Sequence, residues 1–486
     1  MVLKELIKGL KVIKTSGDTN VVIASVTSDS RKVKHGSLFV AIRGIEHDGN
    51  DYVEMAIEKG AVAIICDREP AVRPEDAVMI TVEKGRDALS LVASRFYGDP
   101  SKDLSIIGIT GTNGKTTTSY LVREIFSKWG KKTGMIGTIS YFIGDRKVEA
   151  DFTTPEAEIF QKLLHEMKNE GCEYVISEVS SHALAQGRVD HTVFSRAVFT
   201  NLSRDHLDFH KDMDSYFDAK SRLFTDLLAD SGVAILNADD PKLLGLKDAL
   251  STAVITYGIH EPADLMADSI EKGLNGTSFD VLYRGHKHRI TSSLLGTPNV
   301  YNILAAIAVS ISLGVPMEVV IGALEDVKNI EGRFETFYSD EGVLFVLDYA
   351  HTPDALEKLI GTALELPHRK IITVFGCGGD RDRGKRPIMG RIASDNSDIV
   401  ITTSDNPRYE DPGKIIEDII AGIDGKYISI VEREKAIQEA VKIAKDGDVV
   451  LIAGKGHEGY QEVRGVRYPM NDREILLNAI KEYGSN

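Results

Sequence analysis

The residues best placed to do chemistry run from Gly108 to Thr118, Gly-Ile-Thr-Gly-Thr-Asn-Gly-Lys-Thr-Thr-Thr, behind the apolar stretch Ile106-Ile107. A strand enters a glycine turn, then a lysine and hydroxyls open a helix. Glycines let backbone N–H groups close on phosphate oxygens. Lys115 supplies a point charge for the β- and γ-phosphates, and the Thr116 hydroxyl suits Mg²⁺. Position 109, where the usual GxxxxGK[ST] pattern has glycine, is isoleucine, and the glycines fall at 108, 111 and 114. The pattern is a nucleotide triphosphate cradle of a particular kind.

Further chemistry-bearing residues follow other apolar runs. Glu178 closes the run 173–177, within Ser177-Glu178-Val179-Ser180-Ser181-His182. The residues alone leave it open between an Mg²⁺ carboxylate and part of a helix-capping cluster. Asn201 to His210 packs two histidines and two aspartates behind another strand, dense enough for a metal or phosphate site. Lys220 lies in Tyr216-Phe217-Asp218-Ala219-Lys220, an amphipathic helical pattern in which a lysine reads by default as solvated. Arg381, Arg383, Lys385 and Arg386 form a cationic glycine-rich loop, read as an anion pocket rather than a salt-bridged turn. Asp405-Asn406-Pro407-Arg408 and Gly454-Lys455-Gly456-His457-Glu458 also follow strands; the role of His457 stays open.

The elements that must position these groups alternate strand and helix along the chain, which indicates parallel sheets covered on both faces. At 486 residues the chain has room for about three domains. The predicted boundaries give domains at 1–103, 104–332 and 333–486, with Gly98-Asp99-Pro100-Ser101 as a linker and a second break at Gly332-Arg333-Phe334. Predicted strands include Val21–Ala24, Leu38–Ala41, Ala61–Ile65, Glu173–Ser177, Ala197–Thr200, Gly232–Leu236, Leu344–Leu347, Lys370–Phe375, Ile399–Thr402 and Asp448–Ile452. Helices are predicted at Tyr52–Lys59, Lys115–Trp129 and Asn299–Leu313. The net charge of −15 argues against a nucleic-acid partner. It also requires local cationic pockets for anionic substrates. Three scattered cysteines suggest neither disulfides nor zinc, and fit a reducing cytoplasm. The N-terminal residues lack a signal-peptide pattern, and no apolar stretch is long enough to span a membrane.

Together these pieces resemble the Mur ligase family of ATP-dependent amino-acid ligases. The cradle matches that family's GTNGKT[TS], which accounts for Ile109. The resemblance extends through Ser177–His182, the Asn-Leu-Ser-x-Asp-His-Leu-Asp block at 201–208, Tyr-x-x-Ala-Lys at 216–220 and Asn299-Val300-Tyr301-Asn302. It continues through Gly332-Arg333-Phe334-Glu335, Asp348-Tyr349-Ala350-His351 and Gly454-Lys455-Gly456-His457. Within the family, Thr27–Val33 followed by Gly36–Ala41 is similar to the UDP-binding segment of the member that adds the third peptide residue. Asp405-Asn406-Pro407-Arg408 resembles the form that takes meso-diaminopimelate; the lysine-adding form is the alternative. A folylpolyglutamate-type ligase is disfavoured by residues 1–103.

The resemblance implies an α/β fold with an N-terminal UDP-binding domain, a central parallel-sheet ATPase-type domain and a Rossmann-like C-terminal domain. It implies a cytoplasmic, monomeric, ADP-forming ligase of peptidoglycan precursor synthesis. Its substrates would be ATP, UDP-N-acetylmuramoyl-L-alanyl-D-glutamate and meso-diaminopimelate. By position, Gly111, Thr112, Asn113, Gly114, Lys115, Thr116 and Thr117, with Asn302, Arg333 and Asp348, would bind ATP. Thr116, Glu178, His206 and a carbamylated Lys220 (N6-carboxylysine) would hold Mg²⁺, and Lys115, Lys220, Glu178 and His206 would be catalytic. Ser30, Thr153, Thr154, Ser181, Gln186 and Arg188 would hold the UDP-substrate. Arg381, Asp405, Asn406, Pro407, Arg408, Gly454 and Glu458 would hold the amino acid.

Overall fold

A computed structural model describes residues 1–44, 47–68 and 76–483. Three sheets follow one another along the chain, and their carboxyl ends carry the loops singled out above. The first has five strands, in the order Val12–Ser16, Val78–Val82, Ala61–Cys66, Ser37–Val40, Ser25–Thr27. The strand expected at Val21–Ala24 instead forms at Ser25–Thr27, and Val22 makes only an isolated bridge to Val2. The apolar run at 21–24 outweighs Ser25-Val26-Thr27 in the sequence, so composition alone does not locate the pairing. The carbonyl of Met1 takes the Ile23 N–H at 2.8 Å, and Ser25–Thr27 pairs with Ser37–Phe39.

The second sheet has 11 strands, with Ser105–Thr110 between Phe194–Phe199 and Tyr174–Glu178. Its middle is parallel, as expected, with helices on both faces. Antiparallel strands extend it at both edges: Ser140–Ile143 with Arg146–Glu149, and Gly276–Tyr283 with His286–Ser292. Each pair is joined by a two-residue turn containing glycine, Gly144-Asp145 or Arg284-Gly285. Arg284 and Gly285 both take positive φ, the conformation that matches strand twist in a tight hairpin. Ile106, Ile107 and Ile109 of the central strand are fully buried. The helix Thr297–Ser312 packs beside the helix Lys115–Lys128 through Ile303, Leu304 and Ile307 against Leu121 and Ile125. This apolar layer fixes the start of the second helix against the strand that precedes it.

The third sheet has six strands, in the order Glu335–Tyr338, Leu344–Asp348, Val449–Ala453, Ile371–Phe375, Ile399–Thr402, Tyr427–Ser429. All but the first pair are parallel. A separate hairpin joins Tyr460–Val463 to Val466–Pro469. No helix among the described residues is long and apolar enough to cross a membrane.

Candidate active site

The phosphate loop begins where the strand Ser105–Thr110 ends, so Ile109 belongs to the sheet core and the turn starts at Gly111. Gly111 and Gly114 take φ of +143° and +83°. A side chain on either would collide with Thr200 or Asn302. The loop is held from outside: the Thr112 N–H reaches the Asn201 carbonyl at 2.9 Å and the Asn113 N–H reaches Asn201 Oδ1 at 3.0 Å. The helix Lys115–Lys128 starts with no side-chain cap, so its first N–H groups and its dipole face the loop's concavity. Lys115 folds back, donating to the Gly111 and Thr112 carbonyls at 2.8 Å each. Thr117 is buried in the same first turn.

Thr116 Oγ1 donates to Glu178 Oε2 at 2.9 Å. Glu178 is 0% exposed, and its carboxylate also takes the Thr138 N–H and hydroxyl, each at 2.9 Å. A buried carboxylate beside a hydroxyl, next to an anion cradle, is a hard-oxygen donor set of the kind Mg²⁺ takes. A network leaves Glu178 toward the N-terminal sheet. The Thr138 hydroxyl meets that of Thr153 at 3.0 Å, Thr154 donates to the Glu178 carbonyl at 2.9 Å, and Arg188 donates to the Thr154 carbonyl and to Gln186. Ser181 Oγ is buried at the start of the next helix with no hydrogen-bond partner among the described residues.

Ser30 stands apart from this network, in a turn whose carbonyl accepts from Lys59. Its neighbour Ser28 does reach across, donating N–H and hydroxyl to Glu158 at 3.0 and 2.6 Å. Burial pushes the Glu158 carboxyl up. Beside this junction a cavity of about 710 Å³ is lined by Arg43, Lys84, Arg86, Gln186 and Arg222 among others. Of these only Gln186 was singled out from sequence. Lys84 and Arg86 open one helix, while Arg43 and Arg222 come from other elements.

Lys220 overturns its default reading as a solvated helix lysine. The helix Met213–Thr225 turns it inward, 1% exposed, and its Nζ donates to the Gly111 carbonyl at 2.8 Å, the oxygen Lys115 also uses. Burial first, then the like charge of Lys115, hold its amine well below the ordinary lysine range. Burial lowers Lys115 as well. Burial draws the clustered histidines down as well. His182, His206 and His210 stack edge to face, with His182 pulled down to about 4 by burial and then by His206. Among the described residues no group of three or more His, Cys, Asp or Glu side chains is arranged to hold a metal ion. The His/Asp block therefore forms no preassembled metal centre of its own: its rings pack on each other, on Phe209 and on Tyr216. His206 contacts Asp205 at 3.4 Å and touches neither Thr116 nor Glu178 by a hydrogen bond.

Across the loop, Arg333 donates to Thr116 Oγ1 at 3.1 Å and lies over the Tyr349 ring. Asp348 takes the N–H groups of Phe334 and Ala350 at 2.7 and 2.8 Å, and burial pushes its carboxyl up. Asn302 donates to Asn299, with its Oδ1 against Gly114. One residue missed in sequence is Asp354, whose Oδ2 accepts from Asn113 at 3.0 Å, Ser203 at 2.9 Å and Lys358 at 2.8 Å. It ties the third unit directly to the phosphate loop. Its signal was its place one turn after Asp348-Tyr349-Ala350-His351.

The remaining residues gather at the carboxyl ends of the third sheet. Asn406 donates to Glu458 at 3.0 Å and accepts from the fully buried Lys455 at 3.0 Å. Asp405 is buried against Gly454, whose N–H reaches the Asp348 carbonyl at 3.0 Å. Pro407 offers its carbonyl to the Glu410 N–H, and Arg408 donates Nη1 to the Gly379 carbonyl at 2.8 Å. The cationic loop, expected as one pocket, divides. Arg386 is buried in ion pairs with Glu410 and Asp418, holding Glu410 down to about 2, and Arg383 joins Glu410 at 3.0 Å. Lys385 donates to the His351 carbonyl. Carboxylates 24 or more residues further along the chain claim Arg383 and Arg386. Arg381 alone of the four is exposed with no hydrogen bond or ion pair among the described residues.

Comparison with known proteins adds the following. Residues 109–310 match the Mur ligase middle domain, residues 332–456 the Mur ligase, glutamate ligase domain, and residues 22–97 the Mur ligase family, catalytic domain. The chain is 46% identical over 466 residues to the UDP-N-acetylmuramoyl-L-alanyl-D-glutamate--2,6-diaminopimelate ligase of Bacillus velezensis, covering 95% of this chain and 94% of that one. It is 44% identical to the ligase of the same name from Bacillus licheniformis, covering 99% and 100%. A solved structure of a ligase with that name is 33% identical, with full coverage of both chains and a TM-score of 0.71. The MurF ligase of Thermotoga maritima in complex with ADP shares the fold at 21% identity, 94% and 97% coverage and a TM-score of 0.65.

Proposed function

The chain belongs to the Mur ligase family, and from that premise we propose that it joins meso-diaminopimelate to the D-glutamate of UDP-N-acetylmuramoyl-L-alanyl-D-glutamate at the expense of ATP. The supporting observation is Thr116 Oγ1, met at once by Glu178 from the central sheet and Arg333 from the third unit. The phosphate loop thus lies between a network running toward Arg188 and a loop cluster holding Arg408.

On this reading ATP enters over the Gly111–Thr117 turn, and Lys115 swings from the Gly111 and Thr112 carbonyls onto the β- and γ-phosphates. Arg333, Asn302 and Asp348 close on the nucleotide from the other side. The UDP-substrate occupies the side of Ser30, Thr153, Thr154, Ser181, Gln186 and Arg188. Its glutamate carboxylate attacks the γ-phosphorus, ADP leaves, and an acyl phosphate forms. The amine of meso-diaminopimelate attacks the acyl carbon, and the tetrahedral intermediate expels phosphate. Thr116, Glu178, His206 and a carbamylated Lys220 would hold Mg²⁺, which supplies charge neutralisation at the transferring phosphoryl group. Burial that favours the uncharged Lys220 amine suits it to the carbamate: its lone pair bonds to the carbon of CO₂ and a proton is released to solvent.

The amino acid occupies Arg381, Asp405, Asn406, Pro407, Arg408, Gly454 and Glu458. Meso-diaminopimelate carries a second carboxylate at its far end that lysine lacks, and the Arg408 guanidinium is the group to take it. The enzyme acts as a cytoplasmic monomer in this scheme. Hydroxylamine added during turnover should yield the hydroxamate of the UDP-substrate, with ADP as the nucleotide product. Release of AMP, or ADP formation with no trappable acyl group, would refute the mechanism.

A further inference from the structure

The hairpin Tyr460–Val463/Val466–Pro469 turns at Arg464-Gly465, both at positive φ, and sits on the loop that carries Arg408. Asp405, Asn406 and Arg408 of that loop are each tied to it. Gln461 donates to the Asp405 carbonyl at 2.6 Å, and the Glu462 N–H reaches Asn406 Oδ1 at 2.9 Å. The Arg408 N–H reaches the Glu462 carbonyl at 3.0 Å, and the Arg464 N–H returns to the Arg408 carbonyl at 2.8 Å. Arg408 itself sits at φ +51°, a conformation unfavourable to arginine that these backbone bonds impose.

The side chain is then fixed at two points. Nη1 donates to the Gly379 carbonyl at 2.8 Å, and Nε faces Glu462 Oε2 at 3.3 Å. Nη2 makes no hydrogen bond among the described residues. Glu462 and Gly379 thereby set the plane of the guanidinium and leave one nitrogen for a ligand. A carboxylate ligand gains most from a donor whose orientation is already set, because less side-chain entropy is lost on binding.

We propose that Glu462 is a positioning residue for amino-acid selection: through its ion pair with Arg408 it orients the guanidinium toward the far carboxylate of the amino acid. The proposal rests on the meso-diaminopimelate reading. Glu462 does not itself touch the far ammonium, which lysine and meso-diaminopimelate share.

The test is steady-state ADP release by the full-length wild type, Glu462→Ala, Glu462→Gln, Arg408→Ala and the double variant, with meso-diaminopimelate and with L-lysine. Wild-type turnover of meso-diaminopimelate is the control for the functional reading; its absence would refute that reading, and this inference with it. Given that control, Glu462→Ala should raise KM for meso-diaminopimelate about tenfold, as expected for one charge-assisted contact, with kcat and the KM for ATP unchanged. L-lysine kinetics should not move. Glu462→Gln, which keeps an acceptor for Nε, should restore part of the loss. In the Arg408→Ala background, Glu462→Ala should have no further effect. An equal loss for L-lysine would mean that Glu462 contacts the shared ammonium, and additivity with Arg408→Ala would mean that it acts elsewhere. A parallel rise in KM for all three substrates would mean general loosening. Each of these three results overturns the proposal.

Discussion

Replacing Lys220 by methionine should stabilise the fold while destroying the reaction. An ordinary lysine titrates at 10.5, so in the unfolded chain this amine keeps its proton at neutral pH. In the native state it is 1% exposed and shares the Gly111 carbonyl with Lys115, and burial disfavours its charged form. Between its lowered native value and 10.5 the unfolded state binds more protons, so native stability rises with pH through that window. Each pH unit by which burial lowers the amine costs the fold about 1.4 kcal/mol. Methionine removes this cost and forfeits one hydrogen bond of about 1 kcal/mol, so the variant gains wherever the burial cost is the larger. Each net gain of about 1 kcal/mol corresponds to a rise in Tm of roughly 2–4 °C for a domain of this size. Thermal unfolding of wild type and Lys220→Met in CO₂-depleted buffer, at about pH 7.5 and 9.5, reads it directly. The gap should shrink at the higher pH, where the unfolded amine begins to lose its proton too. A methionine variant less stable than wild type by a pH-independent amount would show that the buried amine keeps its proton, and would refute the reasoning. Lys220→Ala should likewise lose most activity and regain part of it with a short-chain carboxylate; full activity without rescue would remove the carbamate from the mechanism.

Arg408→Ala should cost meso-diaminopimelate use about 2–3 kcal/mol, on the order of a charge-assisted contact, read as kcat/KM; unchanged kinetics would place Arg408 outside the pocket. Gly114→Ala puts a side chain at φ +83° against Asn302, so affinity for a non-hydrolysable ATP analogue, measured calorimetrically, should fall by about tenfold or more through the strain of 1–3 kcal/mol. His182 and His457, each drawn down to about 4 chiefly by burial, refuse protons that the unfolded chain accepts below about 6.5. Stability in urea melts should therefore fall as pH drops from about 6.5 to 4, by about 1.4 kcal/mol per pH unit for each ring. A flat profile across that window would contradict the buried neutral imidazoles.

The phosphate loop was legible in sequence because its chemistry is local. Glycine spacing, a lysine and a hydroxyl within a few residues define it wherever the fold places them. The central parallel strands were legible as apolar runs for the same reason, whereas Ser25–Thr27, Val78–Val82 and Thr133–Ile136 were misplaced or missed. What escaped depends on distant partners. Lys220 lies in an amphipathic helix, and only the approach of that helix to Gly111 decides that its amine is buried. Arg386 reads as a free cation until Glu410 and Asp418 fold against it. Asp354 is a single charge whose partners Asn113 and Ser203 come from another unit. The hairpin at 460–469 did carry a signal, Arg464-Gly465 between Val463 and Val466, yet its weak alternation hid it.

The central claim is tested most directly by ADP release from the wild-type enzyme with each substrate omitted in turn, and with L-lysine and L-ornithine in place of meso-diaminopimelate. The account predicts ADP only when ATP, the UDP-muramoyl dipeptide and an amino acid are all present. It predicts one ADP per amide bond formed, and meso-diaminopimelate far ahead of the other two. Sustained ADP release without the dipeptide, or L-lysine used as well as meso-diaminopimelate, would contradict it.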